Sequence, residues 1–306
     1  MTFRLRAATS ADRTAIACLI HASTNGWYAN HGRPPVFAGP SEDCALFFDV
    51  YEELDPGCCL LAEEDGDLLG SCFWHPRPTH VSLGIMNVAP AAFGRGVARC
   101  LLSWICDEAD RRGLPVRLVS SAQNLDSFSL YNRAGFAPVA VFQDVQVPVP
   151  AEGLGEAVAS VTHVRHATPT DVKAMVELER SILGIDRASD LAKLVDGFGG
   201  VFTSRVFEVD GRVDGFLIAS RANASAMLGP GCARDDGIAT ALLFVELDER
   251  HRGTQPIVLA PSDRPELLSW LRSVGGRNVE IHLMQVRGEA PPIRGVVLPT
   301  FLPESS

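Results

Sequence analysis

A segment near the start of the chain returns about halfway along it. Leu5–Arg13, LRAATSADR, is answered by Val164–Val172, VRHATPTDV, and Arg6 and Arg165, Ala8 and Ala167, Thr9 and Thr168, and Asp12 and Asp171 each stand 159 residues apart. A second echo follows. Cys59–Glu63 and Leu68–Trp74 flank Asp65-Gly66, a strong hairpin-turn signal, and Phe207–Ser220, FEVDGRVDGFLIAS, repeats that pattern. Such an internal repeat restricts the chain to two tandem copies of one αβ unit, and 306 residues suit two domains of about 150 residues each. The small-residue stretch 151–161, AEGLGEAVASV, reads as the linker, giving domains 1-152 and 162-306.

The most informative stretch of the first copy is Leu83–Leu102, LGIMNVAPAAFGRGVARCLL. Leu83–Val88 is an apolar run of strand length and Pro90 stops it. Val97, Leu101, Trp104 and Ile105 then recur at helical spacing up to about Arg112, with Gly113 as the stop. Phe93-Gly94-Arg95-Gly96-Val97-Ala98 therefore sits where a helix begins. Glycines there let a ligand approach the backbone, and the amides of the first turn form an anion site. Val116–Ser120 is the next strand, and Asn124 is a preferred cap for the helix that carries Ser127–Arg133.

Val88-x-Pro90, Gly96-x-Ala98 and then Asn124 seven residues before Tyr131 in Leu130-Tyr131-x-x-x-Gly135-Phe136 resemble, in order and spacing, the GNAT superfamily of acyl-CoA-dependent N-acyltransferases. Phe93 departs from the pattern, standing where the family usually has Gln or Arg; Arg95 and Arg99 supply positive charge nearby. The resemblance implies a mixed α/β fold in each copy, a twisted, mostly antiparallel sheet flanked by helices. It implies acetyl-CoA as co-substrate, with the backbone of Met86, Asn87 and Val88 against the pantetheine arm and the thioester carbonyl. Phe93, Gly94, Arg95, Gly96, Val97 and Ala98 would hold the pyrophosphate, and Asn124 would contact the cofactor. Tyr131 would be the catalytic acid that protonates the departing thiolate after direct attack by an uncharged primary amine.

Other residues are candidates for the acceptor side. The stretch 25–40, NGWYANHGRPPVFAGP, reads as a loop of the kind that carries specificity, and it offers Trp27, Tyr28 and His31. Residues 41–54 read as a helix capped by Ser41, with Glu53 on its polar side. His75 and His80 flank Pro76-Arg77-Pro78, and a histidine of ordinary pKa can take a proton from an amine. Glu53 and His75 are thus possible ends of a water chain that serves as base. No G-x-S-x-G and no Cys–His pair suggests a covalent nucleophile.

Composition excludes other classes. Eight cysteines show no C-x-x-C pair and no histidine at ligand spacing, so neither zinc nor a disulfide framework is expected, and no metal is assigned. A net charge of −10 opposes a nucleic-acid surface but suits a cationic amine, whether small molecule or peptide. No apolar run approaches a membrane span and no leader pattern opens the chain, so a cytoplasmic monomer or homodimer is expected.

The second copy looks degenerate. Arg234-Asp235-Asp236-Gly237-Ile238-Ala239 fits R-x-x-G-x-A, yet its two aspartates would repel a pyrophosphate by roughly 1 kcal/mol in water at about 4 Å. In SWLRSVGG, ending at Gly276, Trp270 or Leu271 falls at the place of Tyr131. The basic segment 287–294 and the Pro-rich end suggest no chemistry. Two rival readings of the chain remain: an acyl-CoA-binding sensor without turnover, and an interaction module that binds no cofactor.

Overall fold

A computed structural model describes residues 3–155, 158–222 and 224–302. Residues 156 and 157 of the expected linker lie outside that set. The described chain forms two compact units, one of residues 3–76, 80–118 and 301–302, the other of 77–79 and 119–300.

The first unit contains β1 (Arg4–Ala7), α1 (Arg13–Asn30), α2 (Ala45–Leu54), β2 (Cys59–Glu64), β3 (Asp67–Pro76), β4 (Val81–Val88) and α3 (Val97–Arg112). It ends within β5 (Val116–Ser121), of which residues 116–118 belong here. β1 to β4 pair antiparallel in chain order and β5 joins β4 in parallel. Alternation along β3 decides what covers each face. Phe73 and His75 turn to Tyr51 of α2, with ring centroids 4.6 Å away in both cases. Trp74 turns the other way, to Trp104 of α3 at 5.4 Å. Gly70 shares the α3 face, and a side chain there would meet Val97 Cγ1 at 2.7 Å, so the absence of a Cβ sets how closely α3 lies on the sheet.

The hairpin turn forms where the Asp65-Gly66 signal puts it, with φ of 53° and 92°, both positive as a type I′ turn requires. Gly113 ends α3 with φ 67°. One boundary differs from the sequence reading. Residues 25–30 are not loop but the last turns of α1. Gly26 is helical and lies against the Pro90 ring, where a Cβ would stand 3.3 Å from Cγ.

The second unit contains α4 (Leu125–Arg133), β6 (Ala137–Gln146), β7 (Val164–His166), α5 (Val172–Leu183), α6 (Ala188–Asp196), β8 (Phe202–Val209) and β9 (Arg212–Ser220). It continues with β10 (Met227–Ala233), α7 (Asp236–Arg250), β11 (Ile257–Pro261), α8 (Pro265–Ser273), β12 (Arg277–Arg287) and β13 (Val296–Leu298). The path β7-β8-β9-β10 is antiparallel and β11 joins β10 in parallel, the topology of β1 to β5 over again. Its core packs Leu217, Leu228, Leu242, Leu243, Val258 and Leu271 together.

The sequence echo has a physical basis. Arg6 binds Asp12 at 2.7 Å and Glu63 at 2.6 Å, while Thr9 and Asp12 form a capping box. Arg165 binds Asp171 at 2.7 Å and also Glu208, while Thr168 and Asp171 form the same box. Each cluster ties the first strand of its copy to the helix that follows.

β6 occupies an unexpected place. It does not pair with β5, its predecessor in sequence, but lies between β11 and β12. The amide of Ser262, just past β11, donates to Val141 O at 2.9 Å. In the reciprocal exchange the amide of Ala122, just past β5, donates to Ile281 O of β12 at 2.8 Å. Each copy's final long strand is thus lent to the other, which is why the compact units divide near Leu118 and not at the linker.

Candidate active site

The site is built on a strand that leaves its neighbour. β4 pairs with β5 only at Val81–Val116 and Ser82–Arg117 among the described residues. Immediately afterwards the β3–β4 register slips: Cys72 faces Met86 but Trp74 faces Leu83, so β4 carries an extra residue around Gly84 and Ile85. A bulge adds local bend and twist and frees the β5 side of β4 from its ladder. Met86, Asn87 and Val88 lie beyond it. Asn87 is buried; its Nδ2 donates to Thr24 Oγ1 at 3.3 Å and its Oδ1 has no partner among the described residues. The Val88 amide donates to Ser23 Oγ of α1 at 3.3 Å.

The chain then reaches the turn expected to be a cradle. Gly94 and Gly96 have φ of 77° and 89°, conformations that exclude most side chains, and Gly96 is the residue that opens α3. The amides of Phe93 and Arg95 are spent inside the turn, on Pro90 O and Ala92 O. Those opening the helix, at Val97 and Ala98, have no intrahelical acceptor, and a bound anion gains from them and from the dipole. Arg95 is tied to Glu64. Arg99 instead lays its guanidinium over Gly96, Nη2 being 3.3 Å from where a Cβ would stand. Phe93 is exposed, so the departure from Gln or Arg costs no packing. This turn fits a pyrophosphate.

Asn124 and Tyr131 fall in the second compact unit. Asn124 Oδ1 accepts from the Ser127 amide at 3.0 Å, the cap its residue type suggests. Tyr131, on the last turn of α4, is 6% exposed and packs on Phe136 with ring centroids 5.8 Å apart.

The acceptor-side candidates divide. Trp27 and Tyr28 lie on the end of α1 that crosses Pro90, and His31 stacks on Trp27 at 4.1 Å with Nδ1 2.7 Å from Trp27 O. Glu53 is exposed on α2. His75 is different: it is 2% exposed and its Nδ1 lies 2.6 Å from Asp55 Oδ2. Sequence reasoning passed over Asp55, since Asp55-Pro56-Gly57 reads as an ordinary turn; only the end of α2 brings it to β3.

The second copy repeats the geometry and then closes it. β10 pairs with β11 at Met227–Ile257 and Leu228–Val258 and diverges, as β4 does from β5. β13 fills the gap, pairing with β10 from Gly231 to Ala233 on the side away from β9. At the mouth of α7, Asp235 Oδ1 accepts the Ile238 amide at 2.9 Å. The Gly276 amide donates to Leu271 O just as the Phe136 amide does to Tyr131 O, so buried Leu271, not Trp270, is the counterpart of Tyr131.

Comparison with known proteins agrees with this double architecture. Residues 25–136 match the model of the Acetyltransferase (GNAT) family, and 175–296 match that of an Acetyltransferase (GNAT) domain. A mycothiol acetyltransferase of Beutenbergia cavernae is 34% identical over 138 residues, 42% of this chain and 46% of that protein; the match thus spans about half the relative's length. The fold superposes on a provisional acetyltransferase from Pyrococcus horikoshii with a TM-score of 0.74 at 18% identity, covering 96% of this chain and 92% of the other. A tandem GNAT protein from the clavulanic acid biosynthesis pathway gives 0.61 at 12% identity, covering 95% and 100%.

Proposed function

Because the chain belongs to the GNAT acetyltransferase family, in two tandem copies, we propose that its first copy moves an acetyl group from acetyl-CoA to a primary amine. The observation that carries this reading is the contrast between the two strand gaps. Each copy opens one, and the second is filled by β13 while its helix mouth is capped by Asp235.

In the first copy, the backbone of Met86, Asn87 and Val88 is offered to the pantetheine arm and the thioester carbonyl, where aligned donors stabilise developing negative charge. Phe93 to Ala98 take the pyrophosphate, Asn124 contributes to holding the cofactor, and Tyr131 delivers a proton to the departing sulfur, a role typically worth about 10² to 10⁴ in rate. The second copy shapes and supports the first. The mycothiol acetyltransferase among the relatives favours a small-molecule acceptor, and the net charge of −10 favours a cationic one.

One observation favours a rival, an acyl-CoA sensor without turnover: Phe93 stands at the family's polar position and Arg95 is engaged by Glu64. Acetyl-CoA titration by calorimetry, followed by thiol release with a panel of primary amines, separates the two. Heat without thiol supports the sensor, and no heat removes both.

A further inference from the structure

The reaction proposed above needs a base, since a nitrogen that attacks the acetyl carbon must shed a proton. Among the described residues of the first unit, one buried imidazole has a proton-accepting nitrogen with nothing to bind. His75 Nδ1 lies 2.6 Å from Asp55 Oδ2, and a carboxylate only accepts, so Nδ1 carries a proton and donates it. The neutral ring then has its lone pair on Nε2. That atom is buried and has no hydrogen-bond partner among the described residues. A buried polar atom left unsatisfied costs about 1 to 3 kcal/mol, a cost that points to a role in the working enzyme.

Its direction identifies the role. Nε2 faces the backbone of Gly84, where an added Cβ would stand 3.1 Å from it. Gly84 lies in the β4 irregularity, next to the point where β4 parts from β5. Other candidates are engaged or remote. His80 Nε2 is 3.1 Å from Ser82 Oγ, His31 is occupied with Trp27, Glu52 accepts the Gly57 amide at 3.0 Å, and Glu53 is exposed. Tyr51 stacks on the imidazole but gives its hydroxyl proton to Phe301 O at 2.6 Å.

We propose that His75 is the base of the acetyl transfer and that Asp55 is its positioning residue, an assignment that rests on the amine-acetylation reading. As the carbon–nitrogen bond forms, one proton passes from the amine to Nε2, directly or through one water. The carbon–sulfur bond breaks and the sulfur takes a proton from Tyr131. Solvent then returns the enzyme to its starting protonation. Among the described residues, Tyr51 of α2 and Asp55 just past its end face the ring, with His80 beyond Ser82 next to the start of β4.

The test uses the full chain, acetyl-CoA and a primary-amine panel that includes an arylamine uncharged across about pH 5 to 9, so that an acid limb is not the acceptor's own. His75→Gln is expected to lower kcat about 100-fold and abolish the acid limb of kcat/KM. Asp55→Asn should lower kcat about tenfold and displace that limb, and both variants should bind acetyl-CoA within about twofold of wild type. A slower His75→Gln with an unchanged limb has lost only packing, and the proposal falls. Nitrogen-15 NMR of the histidine-labelled wild type is independent of turnover and of variant folding: a proton on Nδ1 with Nε2 bare is expected, and a proton fixed on Nε2 overturns the assignment. Wild type that binds acetyl-CoA but acetylates no amine is the failure of the parent reading, which the NMR result then distinguishes from a failure of His75.

Discussion

The carboxylate of Asp235 accepts the amide of Ile238 at 2.9 Å, so the mouth of α7 is already occupied by an anion of its own chain. The corresponding amides of α3 have no such cap, since Gly96 offers no side chain. With β13 in the neighbouring gap, we expect the second copy to hold no cofactor. Calorimetric titration should therefore give one acetyl-CoA per chain. A stoichiometry of two would mean that β13 yields to the ligand.

Removal of one hydroxyl tests the proposed acid. Tyr131→Phe keeps the ring on Phe136, and turnover should fall at least tenfold while acetyl-CoA affinity changes little. Steady-state kinetics beside a binding isotherm checks both. An unchanged rate would take Tyr131 out of the mechanism.

The two glycines that bracket α3 form a matched pair. Gly96→Ala and Gly113→Ala each force a side chain into left-handed backbone, φ 89° and 67°, at a cost of about 1 to 2 kcal/mol. Only the first also crowds Arg99; among the described residues, nothing lies within 4 Å of a Cβ added at the second. Melting temperatures should fall in both variants. The acetyl-CoA dissociation constant should rise about tenfold or more in Gly96→Ala alone, and equal binding by the two would show that the turn is not the cradle.

Acid stability should depend on the duplicated Arg–Asp cluster. The hydrogen bond from Arg165, aided by those from Thr168, holds the Asp171 carboxyl down to about 2, below the roughly 3.9 of an unfolded chain; Asp12 is depressed in the same direction by Arg6. A folded value below the unfolded one gives stability that is complete above about pH 4 and lost as pH falls towards 2. Thermal melts from about pH 7 downward should show a steep loss in that window. The loss should be shallower in Asp171→Asn, which starts less stable; identical slopes would remove this group from the acid transition.

The parts legible in the sequence are those fixed by local chemistry. Asp65-Gly66 needs positive φ at two successive residues, Gly113 ends a helix and Asn124 caps one; none depends on distant partners. What escaped was nonlocal. Residues 25–30 read as loop because the contact of Gly26 with Pro90 lies sixty-odd residues away. β13 is too short to announce itself, and only β10 makes it a strand. Asp55 acquires meaning only beside His75. β6 and β12 occupy equivalent places in a repeat, so their patterns do not say which of β5 and β11 each will lie beside.

The placement of β6 between β11 and β12 accounts for the persistence of a mute repeat. The later copy has surrendered its cleft, yet it still gives β6 both of its neighbours and sets β12 beside the last residues of β5. Inheritance could therefore erase chemistry from one half while remaining unable to discard that half. The interlacing leaves each ancestral module dependent on a strand of the other, so that silence at one site is tolerated and amputation is not.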